Sequence, residues 1–429
     1  MVSTPFTSRP LSLSKNTRMP GLQARGWGAA RAIALCLGLP LLAGCAGTGQ
    51  SLAYYWQSVR GHLQMMGAAE PIGDWMDRPG TSAALRERLE LARQARSFAS
   101  SELGLPDNAS YRRYADLGRR AAVWNVVAAG PYSLTLHTWC FPVTGCIGYR
   151  GYFDEADARA EAARLSADGL ETSVYGVPAY STLGYLNWAG GDPLLNTFIA
   201  WPEGDFVRLL FHELAHQVVY VQGDTRFNES FATAVERLGV ERWLSERSTP
   251  RARADFAASE ARRAAFRMLT RDARARLAGV YASPADQAAA GTALAAMKSA
   301  AMQQFRDDYA ALRARWLADG ATPAQLSGLD QWVATANNAS FGAQAAYDDW
   351  VPAFTALFER EGGDWPRFYA AVRALAARPT ADREAALRAL QPALPAAAPP
   401  AAPRTSAAGP PAGPAAPPAA PTPPETPIA

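Results

Sequence analysis

The chain has 429 residues, 49% of them apolar and 19% charged, with a formal net charge of +3. That length buries a sizeable core, the composition is ordinary for a soluble globular protein, and one large catalytic unit or two lobes is expected. So small a charge, with no Lys/Arg run interleaved with aromatics in the body of the chain, excludes nucleic acid as an expected partner.

At the N-terminus, Arg25 and Arg31 precede the apolar run "AIALCLGLPLL", which is too short to span a bilayer permanently and reads as an export signal. The following "LAGC", Leu42 to Cys45, resembles the lipobox of bacterial lipoproteins, in which the cysteine is acylated and becomes the new N-terminus. Ala46, rather than an aspartate, follows it; by resemblance to bacterial sorting rules this favours an outer-membrane anchor facing the periplasm. Of the remaining cysteines, Cys36 falls in the discarded run, leaving Cys140 and Cys146 to form a disulfide in an oxidising compartment.

After the small-polar "AGTGQS", the segment "LAYYWQSVRGHLQMM" carries aromatic and Met positions at helical spacing, a stripe expected to pack in the core. Residues 81–104 predict a helix with a Thr/Ser cap and a stop near Gly104 and Pro106. From Trp124 to Tyr152 the pattern predicts strands in "WNVVAA", "YSLTLHTWCF" and "GCIGYRGYF". A helix follows in "DEADARAEAARLSADG", then strand and turn in "ETSVYGVPAYSTLGYL". The nearly all-apolar "GDFVRLLFHELAHQVVYVQG" predicts a buried helix running from about Asp205 to just before Gly223. "NESFATAVERLGVERWLSE" is the next helix, and residues 250 to about 377 are Ala- and Arg-rich helix. The Pro/Ala-rich end cannot bury enough apolar surface to fold.

The chemistry lies in "HELAH". Residues four apart share a helix face, so His212 and His216 can offer two imidazoles to one metal ion. Glu213, about 100° round the helix, stands beside the open coordination position as a base. Two core histidines sharing a face are the alternative, but His and Glu buried in an apolar helix cost free energy unless partnered, which a metal would supply. A third ligand is needed, and Glu229 and Glu236, seven apart on the following helix, both qualify by position.

"NESFATAVERLG" resembles the Asn-Glu-Gly-Phe-Ala segment of aminopeptidase-N-type gluzincins, whose first glutamate binds zinc. The resemblance therefore implies His212, His216 and Glu229 as ligands of one Zn2+, with Asn228 and Glu236 supporting them. The connection "QVVYVQGDTRFN" between His216 and Glu229 is shorter than in those enzymes and implies an abbreviated turn at Gly223 and Asp224. Together with "GYRGYF" and "VYGVPAYSTLGYL", these motifs resemble the proteobacterial zinc aminopeptidase family of the gluzincin clan, in its lipoprotein form. No segment matches the Gly-x-Met-Glu-Asn strand by which such enzymes hold the free amine.

The resemblance implies an α+β, zincin-like metallopeptidase: a β-rich N-terminal lobe, a buried active-site helix and a mostly α-helical C-terminal lobe. The expected organisation is a signal peptide over 1–44, a tether and start of the fold over 45–65, the metallopeptidase over 66–389 with its β-rich lobe to about 200, and a disordered tail over 390–429. Peptides are the expected substrates, with Glu213 as general base and Tyr347 as oxyanion donor; Tyr281, Tyr309 and Tyr180 are the rival tyrosines. The membrane is reached through lipid on Cys45. An inactive zincin-fold scaffold lipoprotein, or a metal hydrolase acting on a non-peptide bond, are the competing readings.

Overall fold

A computed structural model describes residues 46–141, 145–182, 190–282, 290–344 and 350–391. The signal segment, Cys45, Tyr347 and the tail from 392 onward lie outside these described residues.

The fold is mixed α+β and mostly helical, at 66% helix with small sheets. Helices α1 (Ala46–Ala68), α2 (Ile72–Asp77) and α3 (Ala83–Ser101) come first, with the two-residue strand β1 (Glu70–Pro71) between α1 and α2. Strands β2 (Arg113–Ala115), β3 (Val123–Ala129), β4 (Trp139–Phe141), β5 (Gly145–Ile147) and β6 (Arg150–Tyr152) lead to α4 (Glu155–Ala167) and β7 (Glu171–Val177). The N-terminal part is less β-rich than expected. Only β3 and β7 reach seven residues, and of "YSLTLHTWCF" only Trp139–Phe141 pairs as a strand. Short strands separated by Gly and Pro do not propagate a ladder.

β3 is the centre of an antiparallel sheet, ordered β6-β3-β7. One face, with Trp124, Val126 and Ala128, packs on Ala158, Ala162 and Leu165 of α4; the other carries Val127 and Ala129 against Ala339. This is the period-2 alternation of a strand buried on both sides. β4 and β5 form a hairpin in which Cys140 and Cys146 are directly paired and joined by a disulfide, as expected.

β8 (Leu194–Leu195) and the short α5 (Asn196–Ile199) precede the two helices that carry the motif, α6 (Glu203–Ala215) and α7 (Thr225–Arg247). The rest is helical: α8 (Pro250–Ala282), α9 (Ala290–Ala318), α10 (Pro323–Thr335), α11 (Asn338–Gln344), α12 (Val351–Arg360), α13 (Trp365–Ala376) and α14 (Thr380–Leu390). The main core gathers apolar residues of α3, α6, α7, α12 and α13, and a second cluster sits among α8, α9, α10 and α11.

Helix α6 is central because its apolar positions cover most of its circumference. Phe206, Val207, Leu210, Phe211, Leu214 and Ala215 are all buried, each large side chain contributing roughly 1.5–3 kcal/mol. It lies close against α7 because Gly239 has no side chain: a Cβ there would come within 2.8 Å of Leu103 and 2.9 Å of Phe211. The stripe of α1, expected to pack in the core, does so only in part: Met65 is buried, but Trp56 is 70% and Leu63 63% exposed, with Tyr55 and Val59 exposed beside them, because no described element covers that face. No helix among the described residues is long and apolar enough to cross a membrane.

Candidate metal centre

Helix α6 ends earlier than its hydrophobic pattern predicts. His216, not a residue near Gly223, is its C-terminal cap, and Gln217 and Val218 close tighter turns onto Leu214 and Ala215. The chain is then captured by Asn228, whose side chain donates to the carbonyl of Val221 and accepts from its N–H, both at 2.8 Å. Asp224 caps α7 by accepting from the Phe227 N–H, and Gly223 adopts the left-handed conformation (φ 77°) that the turn requires. The abbreviated turn at Gly223 and Asp224 is therefore present, and Asn228 locks it.

This turn folds α7 back so that Glu229 faces the histidines. His212 Nε2 and His216 Nε2 are 3.1 Å apart, and Glu229 Oε2 lies 3.3 Å from the first and 3.8 Å from the second. These three are a group that can hold a metal ion. Glu236 stands on the opposite side of the ring: its Oε2 is 2.8 Å from His212 Nδ1, which fixes which nitrogen of His212 faces the centre. His216 Nδ1 is buried without a partner.

Glu213 is not among the three. Burial, with the charges of Glu229, Asp192 and Glu236, pushes its carboxyl up to about 7 against the opposing effect of His212. Burial also brings His216 down to about 4. His212 goes the other way: burial opposes its charge, but the contacts with Glu229 and Glu236 hold it well above the usual histidine value. Glu229 is lowered despite burial, because both imidazoles face it.

Among the rival tyrosines, Tyr281 donates to Asn338, Tyr309 donates to Asp330, and Tyr180 packs on His62 and Phe153. The residue the sequence did not single out is Tyr149, between β5 and β6. Its phenol is raised by burial and by the neighbouring charges of Glu229 and Glu213. Tyr111 is a second omission; it is 1% exposed, takes a left-handed backbone conformation (φ 63°), and its phenol is raised by burial and by Glu213. The only signal for Tyr149 was its place in "GYRGYF".

The support behind the histidines begins at Arg96, 2% exposed on α3. Its guanidinium donates to the carbonyls of Pro106, Asn108 and Ser110 and to Ser100 Oγ, so a buried charge holds the loop before β2. That loop presents Asn108 and Ser110 to the side chain of Gln217, at 2.7 and 3.2 Å, immediately after the second histidine. From the hairpin side, Gly145 lies next to Gly223: a Cβ on it would make an ordinary contact, 3.6 Å from the Gly223 Cα.

The sequence model of one family, described as "Putative aminopeptidase", matches residues 53–387. The chain belongs to that family. The match takes in α6, α7 and every helix that packs on them, and it leaves out the N-terminal segment and the Pro/Ala-rich tail. No curated protein and no solved structure matches the chain. The matched span contains the His212, His216 and Glu229 group on two packed helices, with the half-buried Glu213 next to His212 in the chain.

Proposed function

We propose that the chain is a zinc-dependent peptidase, and within that class an aminopeptidase, with His212, His216 and Glu229 as zinc ligands and Glu213 as general base. The observation that carries this reading is the convergence of the three ligand atoms. Zinc bonds of about 2.0–2.1 Å in a tetrahedral site place ligand atoms about 3.3–3.4 Å apart, and the three separations of 3.1, 3.3 and 3.8 Å bracket that value. Two imidazoles and one carboxylate leave a position open, as catalytic rather than structural zinc sites do.

A zinc ion there would polarise the scissile carbonyl and bring the pKa of a water toward about 7. The chain's own residues do the rest. Glu213 takes the proton of the attacking water and returns it to the leaving amine. Glu236 keeps the His212 ring oriented by holding its Nδ1–H. Tyr347 is the oxyanion donor that the resemblance implies, and Tyr149, whose phenol is raised by burial and by the charges of Glu229 and Glu213, is the second candidate. A scaffold role fits poorly, since a carboxylate base beside an open ligand position serves no structural purpose.

The test is metal content together with product analysis. The purified protein should carry about one zinc per chain and release single N-terminal residues from a peptide library; a chelator should abolish this, and added zinc should restore it. Bound zinc without cleavage of any peptide would move the reading to the scaffold or non-peptide hydrolase, and absence of zinc would end it.

The same proposal places the protein in the cell envelope, lipid-anchored through Cys45 and facing the periplasm from the outer membrane. Two features support it: the Cys140–Cys146 disulfide suits an oxidising compartment, and α1, which starts at Ala46, exposes apolar side chains at Tyr55, Trp56, Val59 and Leu63. Cys45→Ala should shift the protein from the membrane to the soluble fraction; unchanged membrane recovery would contradict the anchor.

A further inference from the structure

A cavity of about 790 Å³, which α7 enters through Arg237, is bounded on one side by the β3 and β7 face of the central sheet and on the other by α8, with α10 and α11 closing it. Tyr175 and Trp332 contribute aromatic wall, and the charged groups are four arginines, Arg237 on α7 and Arg267, Arg271 and Arg274 on α8; no described lining residue is acidic. We propose that this cavity receives the part of a peptide substrate C-terminal to the cleaved bond, and that Arg271 and Arg274 select substrates carrying a carboxylate there.

The proposal rests on the aminopeptidase reading and extends it to substrate class. The first support is position. Arg237 follows Glu229 by eight residues on α7, a rise of about 12 Å. An aminopeptidase leaves a single residue on the N-terminal side of the bond it cuts. A cavity whose wall lies about 12 Å from the ligand set therefore holds the other side, at a distance of three or four residues of extended chain at about 3.3–3.6 Å each.

The second support is charge. Arg267 is already engaged, donating to Glu260 Oε1 at 2.8 Å, and Glu260 in turn faces Arg208, which lies 3.9 Å from Glu236. This chain of ion pairs ties the cavity wall to the carboxylate that orients His212. Arg271 and Arg274 are different: both are exposed, and among the described residues neither makes an ion pair. Arg267, Arg271 and Arg274 stand at successive turns of one helix face, where like charges repel, and a bound carboxylate relieves that repulsion. Two guanidinium groups on an otherwise largely apolar pocket suit a carboxylate attached to an uncharged peptide stem.

The carboxylate has two sources, the free C-terminus of a short peptide or an acidic side chain in a longer one, and the test separates them. Three pentapeptides of neutral residues are used: one with a free C-terminus, one amidated, and one amidated with glutamate at the fourth position. Binding is measured by calorimetry to the zinc-loaded Glu213→Gln protein, and KM is measured with the unaltered enzyme.

A peptide with a carboxylate should bind at least about tenfold more tightly than the neutral amidated one, and the Arg271→Gln/Arg274→Gln double variant should erase the difference. The corresponding double lysine variant, which keeps the charge, should retain part of it. Preference for the free acid alone marks short peptides as substrates; preference for the glutamate peptide marks acidic ones. Equal binding of all three, or discrimination that survives the glutamine variant, overturns the inference while leaving the peptidase reading intact. Failure to bind or cleave any of the three peptides overturns both.

Discussion

Glu213→Gln is expected to lower peptide turnover by a factor on the order of 10²–10⁴ while zinc stays bound. Glutamine has the same shape as glutamate, so the buried space beside His212 stays filled and the three ligand atoms, none of them on residue 213, are undisturbed. What the amide cannot do is accept the proton of the attacking water. With no metal bound, burial raises the Glu213 carboxyl to about 7, and neutral glutamine is if anything easier to bury. Turnover within tenfold of the native value would show that the proton goes elsewhere. Loss of zinc in this variant would show that the residue belongs to the ligand set.

Glu229→Ala and Glu236→Ala are expected to separate the two carboxylates of α7. Removing Glu229 takes away one of three ligands and should abolish both zinc retention and activity. Removing Glu236 leaves all three ligands but frees the His212 ring from its 2.8 Å partner, which should weaken zinc affinity about 10–100-fold and leave activity recoverable at high zinc. Competition with a metal-responsive dye reads both effects directly. The reverse ranking, with Glu236→Ala the more damaging, would mean that the ligand role lies one helical repeat further along α7.

That ranking could not be read from spacing, because both glutamates sit at plausible separations on one face. The choice is made by the connection between the helices, and the sequence pattern misled there. The apolar run through "QVVYVQ" extends the helical signal past His216, yet Asn228 offers the Val221 backbone both a donor and an acceptor from outside the helix. A hydrophobic period cannot register such competition, since it comes from a side chain seven residues ahead. Gly223 and Asp224, whose roles are local, were legible. So were the cap of α3 and the helical character of the second half. The strands were legible where they are long, in β3 and β7. Tyr149 was not, because its burial against Val127, Ala129 and Ala339 comes from tertiary packing, and one tyrosine in an aromatic-rich segment looks like another.

The approach of Gly145 to Gly223 has a consequence for how the centre is assembled. The β4–β5 hairpin is stapled by Cys140 and Cys146, and its backbone rests on the turn that swings Glu229 toward the histidines. If the His-His-Glu group holds zinc as proposed, oxidation of two cysteines that are not part of it would steady the turn that carries Glu229. A chain matured under reducing conditions would then present the same three residues on a turn with one support fewer, and its metal retention would depend on its redox history.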